Sequence, residues 1–347
     1  MGGLLLAGAV LLAGCHNNYR TSGYGIVWVT LTDEPGDFAS YIVNVSSITL
    51  TRSDGAVVTA LSTPETVDFT KLGRTAELWG RATIPIGTYT GASIVLDYSS
   101  AFIAVLVNGL PVKASVVSST GAAVTRQTIA VSFDPANPLV IAPTYATSSA
   151  QRLAIDLNLS ASTPSVNLAT SPPTVVVRPY LTAAIAPPDN KPVRVRGPLI
   201  NSTIDIGAYT VYERPFYDEV NNLGSLTLFT SPSTIYTVNG KILSGAAGLT
   251  QLSQSSAGST ATAAYTLYQP TATPTATAGK FTALYVVAGS TLEDFYTQGL
   301  EGDVIGRNGN TLIVQGSTLF LNNGSSSYNV ANAEVLIGPN TLVTADD

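Results

Sequence analysis

Alternation with a period of two residues is the feature that most limits what this chain can fold into. Across residues 152–160, Leu153, Ile155, Leu157 and Leu159 fall on one side, and Ala154, Asp156, Asn158 and Ser160 on the other. Residues 127–133 repeat the pattern with Ile129, Val131 and Phe133. A helix would spread each set around its circumference, whereas an extended strand gathers it on one face. Further β-branched runs at residues 26–31, 41–50, 93–97, 102–107 and 175–177 are separated by turn residues at the short spacing of a sandwich. The apolar phase within 41–50 shifts at Ser46-Ser47, which predicts a β-bulge. Helix-like spacing occurs at Phe69, Leu72, Ala76 and Trp79, so one short helix is expected over 69–79, weakened by Gly73. The expected fold class is all-β.

A chain of 347 residues exceeds the usual size of one domain. The Pro-rich segment Ala186-Pro187-Pro188-Asp189-Asn190-Lys191-Pro192 withholds strand-pairing donors and marks a boundary. We therefore expect an N-terminal β-sandwich over 25–186 and a β-barrel-like region over 193–347. The second region carries a faint repeat. Gly197-Pro198-Leu199-Ile200 followed by Tyr209-Thr210-Val211 is echoed by Gly302-Asp303-Val304-Ile305 followed by Leu312-Ile313-Val314, and Pro232-Ser233-Thr234 by Pro339-Asn340-Thr341. Two related small β units would produce it. The Ser/Thr/Ala-rich stretch 254–278 reads as an extended exposed loop, and Gly306 to Asn310 as a hairpin turn.

The N-terminus suggests an address. Residues 2–13 form an apolar run of signal-peptide length, too short to span a bilayer as a helix. Leu12-Ala13-Gly14-Cys15 resembles a lipobox, so residues 1–15 read as a lipoprotein signal and Cys15 as the site of lipid attachment, including palmitate. Residues 16–24 then form a tether. His16, not Asp, follows the cysteine, which favours the outer membrane. Met1-Gly2-Gly3 lacks the usual basic residues, as expected if translation begins upstream.

Composition narrows the chemistry. One Cys and one His leave no internal disulfide, no ordinary His/Cys zinc site, and no Ser-His-Asp triad unless His16 in the tether serves. Charged residues make up only 11%, with 16 basic against 22 acidic side chains and a net charge of −6, so nucleic acid is not expected as a partner. Asp33-Glu34-Pro35-Gly36-Asp37 collects carboxylates, which makes Asp33 and Asp37 weak calcium candidates; an ordinary solvated turn is the favoured reading. Glu293, Asp294, Glu301 and Asp303 form a second acidic group of the same standing. No cofactor is expected. The 16 Tyr outnumber 9 Phe and 2 Trp, and Tyr suits both sugar rings and protein partners. Tyr209, Tyr212, Phe216 and Tyr217 cluster beside Glu213 and Arg214 and are the candidate contact surface, set against the alternative that they pack a strand face.

Val29-Thr30-Leu31-Thr32-Asp33-Glu34-Pro35-Gly36-Asp37, with Val67-Asp68-Phe69, Ile84-Pro85-Ile86-Gly87-Thr88-Tyr89, Val107-Asn108-Gly109 and Val131-Ser132-Phe133-Asp134, resembles a bacterial lipoprotein family, domain of unknown function 4382. The resemblance covers about residues 25–186. Residues 193–347, with Gly302 to Gly316, look like another uncharacterised family, domain of unknown function 5666, whose units are expected to be small β-barrels. Both imply envelope β architecture and bring no catalytic residue. The expected function is a non-enzymatic outer-membrane lipoprotein, periplasmic or surface-exposed, held by its lipid and binding an envelope or extracellular glycan or protein. The alternative is a structural envelope protein associating through strand edges.

Overall fold

The computed structural model describes residues 23–34, 38–61, 64–73, 75–143, 150–187, 189–215, 222–273, 276–292, 299–320, 326–328, 332–339 and 341. Its architecture is all-β. The first strands are β1 (Tyr24–Glu34), β2 (Ser40–Arg52), β3 (Val57–Leu61), β4 (Glu65–Asp68), β5 (Ala76–Pro85), β6 (Gly87–Val107) and β7 (Leu110–Lys113). They are followed by β8 (Ser115–Val117), β9 (Arg126–Ser132), β10 (Leu139–Ile141), β11 (Gln151–Asn158), β12 (Ser165–Asn167), β13 (Thr174–Val176) and β14 (Leu181–Ala184), with one helical turn, α1 (Leu159–Ser162), after β11.

Strands β14, β11, β1 and β5 lie in that order in one sheet, and β10, β6, β2 and β3 in the facing one, with β4, β7 and β9 completing it. The residues of β1 explain the layering. Val27, Val29 and Leu31 point into the sandwich against Tyr41, Val43, Ile94 and Leu96, while Trp28 points the other way into a second core. A strand buried on both faces reads as the nearly continuous apolar run seen here. The bulge lies between Val45 and Ser47, and the runs at 93–97 and 102–107 belong to one long bent strand, β6.

The predicted helix over 69–79 is corrected. Only Phe69–Leu72 makes a 3-10 turn, started by Asp68, whose Oδ1 accepts from the Thr70 N–H at 3.3 Å. From Ala76 the chain is β5, in which Ala76 through Gly80 are all buried. Burial on both faces erased the alternation that would have marked a strand.

The second half contributes β15 (Val193–Thr203), β16 (Ala208–Glu213), β17 (Gly224–Phe229), β18 (Ile235–Val238), β19 (Lys241–Ser244), α2 (Gly245–Ser253), β20 (Ala261–Thr273) and β21 (Ala276–Ala288). Strands β15, β16 and β17 form a meander; β20 returns antiparallel to β15, while β21 pairs antiparallel with β20 and parallel with β17. The ring β15-β16-β17-β21-β20 is therefore closed. With a helix between the third and fourth strands, this is the strand order of an oligonucleotide/oligosaccharide-binding (OB) barrel. The exposed loop expected at 254–278 is also corrected, since most of it forms β20 and the start of β21. Thr262, Ala264 and Thr266 are small enough to fill the inside of a tight barrel, and that smallness imitated low complexity.

The two bodies share hydrogen bonds. β15 runs parallel to β5 through Val193↔Ala76 and Arg194↔Glu77, so the sheet containing β1 continues into the barrel. Arg194 and Glu77, both buried, form an ion pair across that seam. Beyond the barrel, β22 (Gly299–Asn308), β23 (Thr311–Phe320), β24 (Ser326–Tyr328) and β25 (Ala333–Leu336) form a separate antiparallel sheet.

Candidate binding surface

Strand parity divides the tyrosines that the sequence brings together. Tyr209 and Tyr212 are three residues apart on β16, so they project from opposite faces. Tyr209 is 0% exposed inside the barrel, and Tyr212 is 47% exposed on its outside. Tyr209 is thereby removed from the contact surface, because its ring is needed in the core beside Val211 and Leu228. Phe216 and Tyr217 lie outside the described residues.

Around Tyr212, the outer face of the barrel is built from polar and aromatic pairs. Tyr212 stands opposite Ser225, and Thr210 opposite Thr227, with the two threonine hydroxyls 3.1 Å apart. Phe229 follows on β17, and the Lys280 ammonium from β21 sits 4.3 Å from its ring centre. The arrangement offers a flat ring, the Ser225 hydroxyl and one cation to solvent, with Thr210 half-buried and Thr227 buried behind it.

The inside of the same barrel is more polar than a small core usually is. Glu213, in phase with Tyr209 and Val211, is 1% exposed. Burial pushes its carboxyl well above the usual carboxylate range, and the nearby Arg196 opposes this only in part. Tyr209 is raised by burial first, then by Tyr236 and Glu213. In the sequence Glu213 stands out only as a neighbour of the tyrosines; its parity with Tyr209 on β16 is the signal for its burial.

Asp33 is corrected as well. It is a residue of β1, not of a solvated turn, and its Oδ1 accepts from the Leu159 N–H at 3.1 Å at the start of α1. The Lys191 ammonium donates to the Asp33 backbone carbonyl. A carboxylate buried and engaged in this way is not open to calcium. Asp37, Glu293, Asp294 and the lipid-attachment candidate Cys15 lie outside the described residues. Among the described residues, no three His, Cys, Asp or Glu side chains gather as a metal site, and no helix is long and apolar enough to cross a membrane.

Near the seam, Arg152 is 1% exposed and was not singled out from sequence. Its Nε donates to the Thr30 hydroxyl at 2.9 Å, its Nη1 donates to Asn190 Oδ1 at 3.2 Å, and its guanidinium lies 5.4 Å from the Tyr268 ring centre. Burial lowers it to about 10, so it remains charged at neutral pH. Thr30, Arg152, Asn190 and Tyr268 come from both bodies, which makes this a structural joint.

Residues 24–167 match a family model described as Domain of unknown function (DUF4382). The match takes in most of the sandwich and ends before β13 and β14. No curated protein matches the chain. A solved structure, MbnP from Methylosinus trichosporium, aligns over 40% of this chain and 76% of that chain at 13% identity, with a TM-score of 0.18.

Proposed function

We propose that this chain is a non-catalytic binding module of the bacterial envelope, held to the outer membrane through acylated Cys15 and recognising a glycan on the outer face of its closed barrel. The observation that carries the reading is Tyr212. Its half-exposed ring lies on the second strand of an OB-type barrel, and the face formed by the second and third strands of such barrels is a ligand-binding surface. A flat aromatic ring beside the exposed Ser225 and the half-buried Thr210 has the chemistry to stack on a sugar and bond its hydroxyls. The low charge of the chain suits a neutral ligand.

Retention of the purified chain on immobilised envelope polysaccharide tests the reading, with an envelope protein fraction run in parallel. Tyr212→Ala should weaken retention roughly tenfold, about 1.4 kcal/mol, while leaving the melting temperature unchanged. Absence of retention, or retention indifferent to Tyr212→Ala, would overturn the glycan reading. The anchor has its own test: labelled palmitate should enter the chain in cells and fail to enter Cys15→Ala.

A further inference from the structure

Glu213 and Tyr212 are neighbours on β16 in opposite surroundings, the carboxyl 1% exposed inside the barrel and the ring 47% exposed outside it. Neither Glu213 carboxyl oxygen has a well-formed hydrogen bond, and the Tyr209 hydroxyl on the same inner face has none either. Among the described residues, the charged and titratable groups around the carboxyl are Arg196 from β15, Tyr209 with Tyr236 of β18 beyond it, Arg214 next in the chain, and Arg81 of β5. The Arg81 guanidinium fills the space beside Gly224, the residue opposite Glu213 on β17. Arg196 is turned to the backbone, its Nη2 donating to the Pro215 carbonyl at 2.7 Å. The interior therefore suits the neutral acid, and a carboxylate placed there is driven toward water.

The backbone at this end of β16 is lightly held. The β15–β16 register stops at Leu199↔Val211, and the next residue of β15, Pro198, has no N–H to donate. Past that point the Arg214 N–H donates to the Arg196 carbonyl at 2.8 Å. On the other side, Tyr212 and Glu213 stand opposite Ser225 and Gly224, and the Leu223 N–H donates to the Glu213 carbonyl at 2.8 Å. Strand parity couples the two side chains, because a rotation that turns Glu213 outward turns Tyr212 away from the outer face.

We propose that Glu213 is a positioning residue for Tyr212 and a switch on the binding surface. Neutral, it stays inside the barrel and keeps the Tyr212 ring outward; ionised, it leaves for water and carries the end of β16, with that ring, off the face. The ligand is held at acid and neutral pH and released as pH rises through the point at which the buried carboxyl gives up its proton. What is released rests on the glycan reading above; the movement of β16 does not.

Hydrogen exchange on the whole purified chain reads the movement without a ligand. Between pH 5 and pH 9, protection of the Arg214 and Leu223 amides, corrected for the intrinsic pH dependence of exchange, should fall by at most about tenfold per pH unit, the slope of one proton. The Val177 amide, bonded to the Val117 carbonyl in the sandwich, should keep its protection. Glu213→Gln should hold the Arg214 and Leu223 protection level over that range; should it misfold, Glu213→Met, equally unable to ionise, takes its place. Retention on immobilised envelope polysaccharide should weaken over the same range in the wild-type chain and stay level in the variant. Protection that is independent of pH in the wild-type chain, or that falls equally in the variant, would overturn the switch whatever the ligand. Retention that stays level while the amides open would overturn its link to Tyr212. Retention at neither pH overturns the glycan reading alone, since the exchange result stands without it.

Discussion

Glu213 has its carboxyl inside a barrel barely wide enough for side chains, where the neutral form is favoured. Because its pKa is raised in the folded state, the native chain holds a proton that the unfolded chain releases above the ordinary glutamate range. Stability therefore falls as pH rises from that range toward the folded value. Glu213→Gln, neutral at every pH, should flatten this slope and raise stability at pH 8 by about 1–3 kcal/mol, read from urea unfolding at pH 5 and pH 8. A steeper slope in the variant would contradict the assignment. Arg152 works in the opposite sense: Arg152→Ala strands the Thr30 hydroxyl and the Asn190 side-chain oxygen and removes the cation over Tyr268. It should cost about 3 kcal/mol in the same assay. At this scale little of the site could be read from sequence. Tyr209 and Tyr212 look equivalent in a list of aromatic residues, and only the parity of β16 separates a core ring from a surface ring. Asp33 looked like a turn carboxylate because its partner, the Leu159 N–H, lies 126 positions away.

Among the elements, α2 offers the clearest test of packing against propensity. Alanine is favoured over glycine inside a helix by about 1 kcal/mol, so Gly248→Ala would normally stabilise. Here an added methyl would lie 2.1 Å from a ring carbon of Tyr236, itself fully buried. Gly248→Ala should instead lower stability by about 2 kcal/mol, and a rise in melting temperature would refute the contact. The same closeness explains why α2 is hard to find from sequence: Gly245 to Ser253 has no charged residue and two glycines, and it becomes a helix because Leu249 and Leu252 cap the barrel. Strands with one wet face, such as β9, were legible through their alternation, as was the bulge at Val45/Ser47. Strands buried on both faces, such as β5, and strands of small residues, such as β20, were not, since neither pattern differs locally from a helix or a loop.

In the whole molecule, the pairing of β5 with β15 makes sandwich and barrel one hydrogen-bonded sheet, secured by the Glu77–Arg194 pair. The two should melt together. Glu77→Leu, which leaves Arg194 buried without its carboxylate, should cost about 3–5 kcal/mol, and adding Arg194→Met should recover most of it, because two apolar groups need no compensation. Calorimetry checks both the size of the loss and whether one transition splits into two. The place of β1 has a mechanical consequence. It is the first described strand, it lies between β11 and β5, and it runs parallel to β11 over eight residue pairs from Val27 to Glu34. A pull applied at Tyr24 loads both neighbouring ladders lengthwise, in shear, so that many hydrogen bonds must fail at once instead of opening in succession. Under tension applied at Tyr24, the two ladders should give way together as one high-force event, read by force spectroscopy on the purified chain.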